Sequence, residues 1–168
     1  MPVRLLTPTD LDCVLAINQG GVPGVGALDA DKLAHLVDQS CMTLVATVDG
    51  PVDEIVAGFC LVLGRGADYG SVNYRWFSER YDDFVYLDRV AIAPSFRRRG
   101  LGRSIYAEVD RLAVERRPAA TDLCLEVNLR PRNDVSLAFH AALGFTEVGQ
   151  RETDYGALVS LMTRTLHV

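Results

Sequence analysis

The chain has 168 residues, 49% hydrophobic and 23% charged, a balance that suits one soluble globular domain over residues 1–168 with a core of its own. Seventeen basic residues against 22 acidic ones leave a net charge of −5, which argues against a broad surface for nucleic acid or acidic membranes. Cys13, Cys41, Cys60 and Cys124 lie far from one another and at no zinc-site spacing, so no metal is expected; without a signal-peptide run or an apolar stretch of ~20 residues, the expectation is a cytoplasmic protein with free thiols.

In chain order, "VRLL" is expected to be a short strand and "TPTDLDCVLAINQ" a helix, with Thr7 or Thr9 as cap and Pro8 in its first turn. The glycine-rich loop "GGVPGVG" ends that helix. "LDADKLAHLVDQS" follows as a second helix, with Leu28, Leu33, Leu36 and Val37 at helical spacing. "MTLVATVDGPVDEIVAGFCLVL" predicts a hairpin turning at Asp49-Gly50. Residues 64 to 82 are long for a connection and carry Tyr69, Tyr74, Trp76, Phe77 and Tyr81, which fits either a binding loop or a helical insert packed on the core. Then come strand "FVYLDRVAI", helix "GLGRSIYAEVDRLAVE", strand "DLCLEVN", helix "NDVSLAFHAALG" and two closing strands, "FTEVGQ" and "ALVSLMTRTL". In the helix after Phe96, Leu101, Ile105, Val109 and Leu112 share one face, so it packs on a sheet as a right-handed crossover between parallel strands.

"FRRRGLGRS", residues 96 to 104, breaks two local rules. Cations near a helix N-terminus oppose its dipole, and glycine within a helix costs about 1 kcal/mol relative to alanine. A bound anion removes both objections, because a strand running through a glycine-rich turn into a helix presents backbone N–H groups at one point. Gly102 is followed by Arg103 and Ser104, so the lysine of a P-loop is missing, and Ile105 stands where a dinucleotide fingerprint needs a third glycine. A nucleotide-binding domain is disfavoured on both counts.

The pattern R-x-x-G-x-G from Arg97 to Gly102 resembles the acyl-CoA pyrophosphate loop of the GNAT superfamily of N-acetyltransferases. "YLDRVAIAP" resembles that family's fourth strand, and "NDVSLAFHAALGF", from Asn133 to Phe145, resembles its N-x-x-A/S-x-x-x-Y/H-x-x-x-G-F motif. The resemblance implies a mixed, mostly antiparallel central sheet of six to seven strands flanked by about four helices, an α/β (α+β) fold. It implies acetyl-CoA as acyl donor, with a small amine or a peptide amine as acceptor, and it leaves a homodimer open. Backbone N–H groups along Arg98, Arg99, Gly100, Leu101, Gly102, Arg103 and Ser104 would hold the pyrophosphate, with Arg97 beside them. The main chain at Val90 and Ile92 would pair with the pantetheine arm, and Asn133 and Ser136 would border the cofactor, Asn133 serving equally as a helix cap.

Acyl transfer from a thioester to an amine needs a base for the amine, stabilisation of an oxyanion and a proton for the departing thiolate. Alternation places Tyr86, Asp88, Val90 and Ile92 on one strand face and groups Cys124, Glu126 and Asn128 on the next strand. Asp88 and Glu126 interrupt apolar strands, so either could be the base or could pair with an arginine such as Arg89 or Arg130. His140 stands where the family usually has a tyrosine as thiolate acid, a variation that resembles the branch acting on small amine compounds, including phosphinothricin-type amino acids. The 64–82 segment would supply acceptor-site walls through Tyr74, Trp76 and Tyr81, or else an oligomer contact. A CoA-binding module without turnover is the alternative to an enzyme.

Overall fold

The computed structural model describes residues 2–166. Strand β1 (Val3–Leu5) leads into a 3-10 turn at Pro8–Asp10, where the Asp10 carboxylate accepts from the N–H of Thr7 at 2.7 Å and from its hydroxyl at 2.9 Å. This turn delays helix α1 (Leu11–Gly21), which the sequence pattern starts at Thr7. Helix α2 (Ala30–Gln39) begins behind Asp29, whose Oδ1 accepts from the N–H of Lys32 at 2.8 Å. The hairpin β2 (Ser40–Asp49) and β3 (Glu54–Gly64) forms as expected, but it turns through four residues rather than two, with Asp49 opposite Glu54. After it come α3 (Val72–Ser78), β4 (Phe84–Ile92), a 3-10 turn at Pro94–Phe96, α4 (Leu101–Arg116), β5 (Asp122–Arg130), α5 (Asp134–Ala141), β6 (Thr146–Glu152) and β7 (Leu158–Thr165).

The seven strands form one sheet in the order β1-β2-β3-β4-β5-β7-β6, antiparallel throughout except for β4 beside β5. Helices α4 and α5 cover one face. There Leu101, Ile105, Tyr106, Val109 and Leu112 bury against Val62, Val85, Leu87 and Leu125. On the other face α1 and α2 pack Val14, Leu33 and Leu36 on Val45, Phe59 and Leu61, while Tyr74 and Phe77 of α3 bury on Phe84, Tyr86 and Cys124. Helix α3 is thus a fifth helix, inside the segment that reads either as a loop or as an insert; its aromatic side chains account for the composition there.

The register of β4 departs from simple alternation. Leu61 lies opposite Arg89 and Val62 opposite Leu87, so Asp88 is the extra residue of a β-bulge. The bulge flips the faces beyond it. Val85 and Leu87 belong to the α4 core, as do Val90 and Ile92, whereas Tyr86 lies in the α3 core and Ala91 packs toward α1 and α2. The expected single face of Tyr86, Asp88, Val90 and Ile92 is therefore divided.

Candidate active site

Strands β4 and β5 each have nine residues, yet they pair only from Phe84 with Asp122 to Tyr86 with Cys124. Beyond that point they part, and the β5-facing backbone of β4 from Leu87 onward has no strand partner. A cleft of about 290 Å³ opens at the parting. It is lined by Asp88 and Arg89 of β4, by Glu126, Val127 and Asn128 of β5, by Tyr69 and Asn73 from the segment around α3, by Asn133 and Ser136 at the start of α5, by Pro23–Gly26 of the α1–α2 loop, and by Asp154 and Tyr155 between β6 and β7.

Both expected carboxylates face this cleft, in different states. Asp88 is committed: Tyr69 donates its hydroxyl to Oδ1, and Arg89 Nε donates to Oδ2 at 2.7 Å in an ion pair whose side chains are almost wholly buried. Glu126 accepts the Tyr86 hydroxyl on Oε2. Its burial pushes the carboxyl pKa up to about 7, and the neighbouring Asp88 charge adds to that rise; the Tyr86 and Asn73 hydrogen bonds and the Arg89 charge pull the other way. Burial likewise raises the hydroxyls of Tyr69 and Tyr86, so both stay protonated and serve as donors. Arg130, the other arginine weighed as a partner, pairs with exposed Glu152 at 3.0 Å instead.

Arg89 also ties the cleft wall together. Its Nη1 donates to Asn18 Oδ1 at 3.0 Å and to the Gly26 carbonyl at 3.1 Å. Asn18, fully buried in α1, donates to the same carbonyl at 3.0 Å. Two buried donors thereby pin the glycine-rich loop beside the bulge. At its near edge a Cβ on Gly24 would stand 3.4 Å from Asn133 Nδ2, so the loop lies against the start of α5.

The arginine turn follows β4 directly. Its backbone hydrogen bonds stop with the Arg97 N–H on the Pro94 carbonyl and resume with the Ser104 N–H on the Gly100 carbonyl, leaving the N–H groups from Arg98 to Arg103 without a backbone acceptor. Arg98 and Gly100 hold positive φ, 60° and 83°, a conformation that fans successive N–H groups toward one side. Arg97 donates to the Ile92 carbonyl at 3.1 Å and Arg99 lies over the Phe96 ring, but among the described residues no salt bridge engages Arg97, Arg98, Arg99 or Arg103. Leu101 is buried in the α4 core, and Gly102 sits against Phe139, whose ring would lie 3.0 Å from an added Cβ. The turn can hold an anion with several negative charges.

His140 sits elsewhere. It is 4% exposed, does not line the cleft, and is ringed by Tyr106, Phe139 and Phe145. Its Nδ1 lies 2.7 Å from the Ser136 carbonyl, which can only accept, so that nitrogen carries the proton; Nε2 accepts the Tyr106 hydroxyl at 2.6 Å. Burial lowers the imidazole pKa, which keeps it neutral. Asn133 caps α5, its Oδ1 accepting from the Ser136 N–H at 3.1 Å, while both residues also border the cleft.

Of the expected acceptor-site aromatics, Tyr74 is core and holds the Gly64 carbonyl at 2.7 Å, Trp76 lies on Gly149 of β6, and Tyr81 packs on Phe77 and Phe84. Of the aromatic residues in this segment, Tyr69 is the one that lines the cleft. The Asp88–Arg89 pair is one the sequence allows, whereas no residue pattern marks Asn73, Tyr155 or the reach of Arg89 to Asn18, because the bulge and the parting of β4 and β5 bring them together.

The fold is shared with solved acetyltransferase structures. Ard1 from Thermoplasma volcanium superimposes with a TM-score of 0.77 at 19% identity, covering 99% of this chain and 98% of that one. Arabidopsis thaliana NAA60 in complex with acetyl-CoA gives 0.76 at 15%, covering 98% of each chain. A ribosomal-protein-alanine N-acetyltransferase from Brucella melitensis gives 0.70 at 22%, covering 99% of this chain and all of that one. No curated protein sequence matches. Residues 24–145, which run from the pinned glycine loop through the bulge, the arginine turn and α5, match the acetyltransferase (GNAT) family, and the chain belongs to that family.

Proposed function

We propose that the protein transfers the acetyl group of acetyl-CoA directly to the amine of a small molecule or peptide bound in the cleft. The observation that carries this reading is the unpartnered edge of β4, which opens a cleft beside the buried carboxylate of Glu126 and runs on into a turn whose N–H groups from Arg98 to Arg103 have no backbone acceptor among the described residues. The turn from Arg97 to Ser104 would take the pyrophosphate, and the main chain of Val90 and Ile92 would pair with the pantetheine arm. Asn133 and Ser136 would border the thioester end.

An alkylammonium near ~10.4 must lose a proton before it can attack. Glu126 is the better of the two bases: at about 7 its pKa lies close to working pH, whereas Asp88 has an oxygen tied to Tyr69 and the other to Arg89. Asp88 acts through its charge, which helps to raise Glu126. In the described geometry His140 has no ring proton free for a thiolate, since Nδ1–H is spent on Ser136 and Nε2 accepts from Tyr106. We therefore assign to Glu126 the proton that neutralises the leaving thiolate, and to His140 the positioning of α5 against α4.

The test is thiol release from acetyl-CoA with a panel of small amines, amino acids and peptides. Release above the acceptor-free rate identifies the acceptor class. Calorimetric binding of acetyl-CoA with no release from any acceptor would instead support a CoA-binding module without turnover.

A further inference from the structure

We infer that the hydroxyl of Ser136 donates the hydrogen bond that receives the departing sulfur. The inference rests on the reading of the cleft as the place of acyl transfer. Ser136 borders the cleft together with Glu126 and Asn133, and its own N–H is taken by Asn133 Oδ1 at 3.1 Å, so its backbone is fixed in the first turn of α5. Behind it, one helical turn on, lies His140, held by the Tyr106 hydroxyl at 2.6 Å and by the rings of Phe139 and Phe145.

The direction of the Ser136 hydroxyl follows from the tautomer of the histidine. Nδ1 of His140 lies 2.7 Å from the Ser136 carbonyl and 3.2 Å from Oγ of the same residue. A carbonyl only accepts, so the proton sits on Nδ1, and toward that N–H the serine oxygen can turn only a lone pair. Among the described residues Oγ has no other hydrogen-bond partner. The hydroxyl hydrogen is therefore without an acceptor among them, at a residue that borders the cleft. Tyr106 donates to His140 Nε2 and His140 Nδ1–H faces Ser136 Oγ, a series in which each bond polarises the next and leaves the last hydroxyl the better donor.

A departing thiolate has need of such a donor here. The charged groups on the cleft walls are Asp88, Arg89, Glu126 and Asp154, beside the hydroxyls of Tyr69 and Tyr155. Arg89, the one cation among them, is paired with Asp88, so no free cation of the cleft wall meets a negative sulfur. In the reaction Glu126 takes one proton from the ammonium, the free amine forms the C–N bond, and the C–S bond breaks with its electron pair on sulfur. Glu126 returns its proton to that sulfur, and the second amine proton goes to water. Ser136 keeps its own proton throughout and holds the sulfur by a hydrogen bond while the charge is there.

The experiment reads the thiol itself and needs no acceptor. Coenzyme A is bound to wild type and to Ser136→Ala, and its ionisation is followed against pH by the ultraviolet absorbance of the thiolate, with desulfo-coenzyme A as blank. Ser136→Ala should raise the pKa of the bound thiol by about one unit over wild type, with affinity for desulfo-coenzyme A within about threefold. Ser136→Thr keeps a hydroxyl and should restore most of the wild-type value. Unchanged thiol ionisation in folded Ser136→Ala overturns the inference, and so does an equal rise in Ser136→Thr. Glu126→Gln separates the two levels, because removing a negative charge from the cleft should lower the pKa of a thiol bound there. If it does so while Ser136→Ala changes nothing, Ser136 alone falls; if neither variant moves the thiol, or coenzyme A does not bind to wild type, the cleft reading falls with it.

Discussion

Replacing Glu126 by glutamine should stabilise the protein and disable it at once. An ordinary glutamate titrates near 4.5 and Glu126 in the folded chain at about 7, so in that window the folded protein holds a proton that the unfolded chain has released. Stability therefore falls as pH rises through the window, and above it the buried charge costs the fold about 3 kcal/mol at ~1.36 kcal/mol per pH unit. A glutamine amide carries no such charge and can still accept the Tyr86 hydroxyl. In urea titrations, wild type and Glu126→Gln should differ little near pH ~5 and by about 3 kcal/mol near pH ~8.5, or roughly 6–12 °C in Tm for a chain of this size. Thiol release should fall by about 10²–10⁴. An equal stability difference at both pH values would remove the titrating buried carboxylate, and with it the base assignment. Turnover within about threefold of wild type would do the same.

The wild-type rate, kcat/KM against pH, should rise with a midpoint near Glu126's value of about 7, and Asp88→Asn should move that midpoint lower because it removes a charge that raises Glu126; an unmoved midpoint places the base elsewhere. Gly102→Val should remove most acetyl-CoA affinity in calorimetry, and because an added Cβ meets Phe139 at 3.0 Å it is best made with Phe139→Leu to relieve the contact; retained affinity in the folded double variant would clear the turn of its role. His140→Phe should cost about 1–3 kcal/mol by orphaning the buried Tyr106 hydroxyl, and Tyr106→Phe in the same chain should recover much of it, with kcat within about threefold of wild type. A collapse of kcat in the folded double variant would return the acid role to His140.

The parts of this molecule legible in sequence are those whose physics is local. Glycines among arginines at a strand-to-helix boundary are a local contradiction, and among the described residues the N–H groups from Arg98 to Arg103 have no backbone acceptor while Arg97, Arg98, Arg99 and Arg103 join no salt bridge. The periodicity of α4 named its buried face correctly, from Leu101 to Leu112. Alternation along β4 failed past Asp88, because a bulge is a mismatch between two strands and neither strand's sequence records it. The segment from 64 to 82 was ambiguous for a related reason: its aromatics serve the core through Tyr74 and Phe77, and its polar members Tyr69 and Asn73 serve the cleft, a division that depends on which way α3 lies on the sheet. Likewise, Asp88 and Glu126 looked equivalent as charged interruptions of apolar strands. What separates them is Arg89, which reaches one carboxylate and leaves the other to titrate.

Among the described residues, backbone pairing between β1–β4 and β5–β7 runs through three residue pairs, Phe84 with Asp122, Val85 with Leu123 and Tyr86 with Cys124. Mechanically the sheet is two wings on a short seam, and a chain-like ligand laid along the open edge of β4 would act as a partial eighth strand bracing both. Its binding energy would then be spent on holding the wings at one angle, which is also the angle that sets Asp88 against Glu126. Amide hydrogens on the β5-facing edge of β4 past Leu87 should exchange quickly in the free protein and slow together on ligand binding, with protection spreading to β5 and β7 although neither borders the turn.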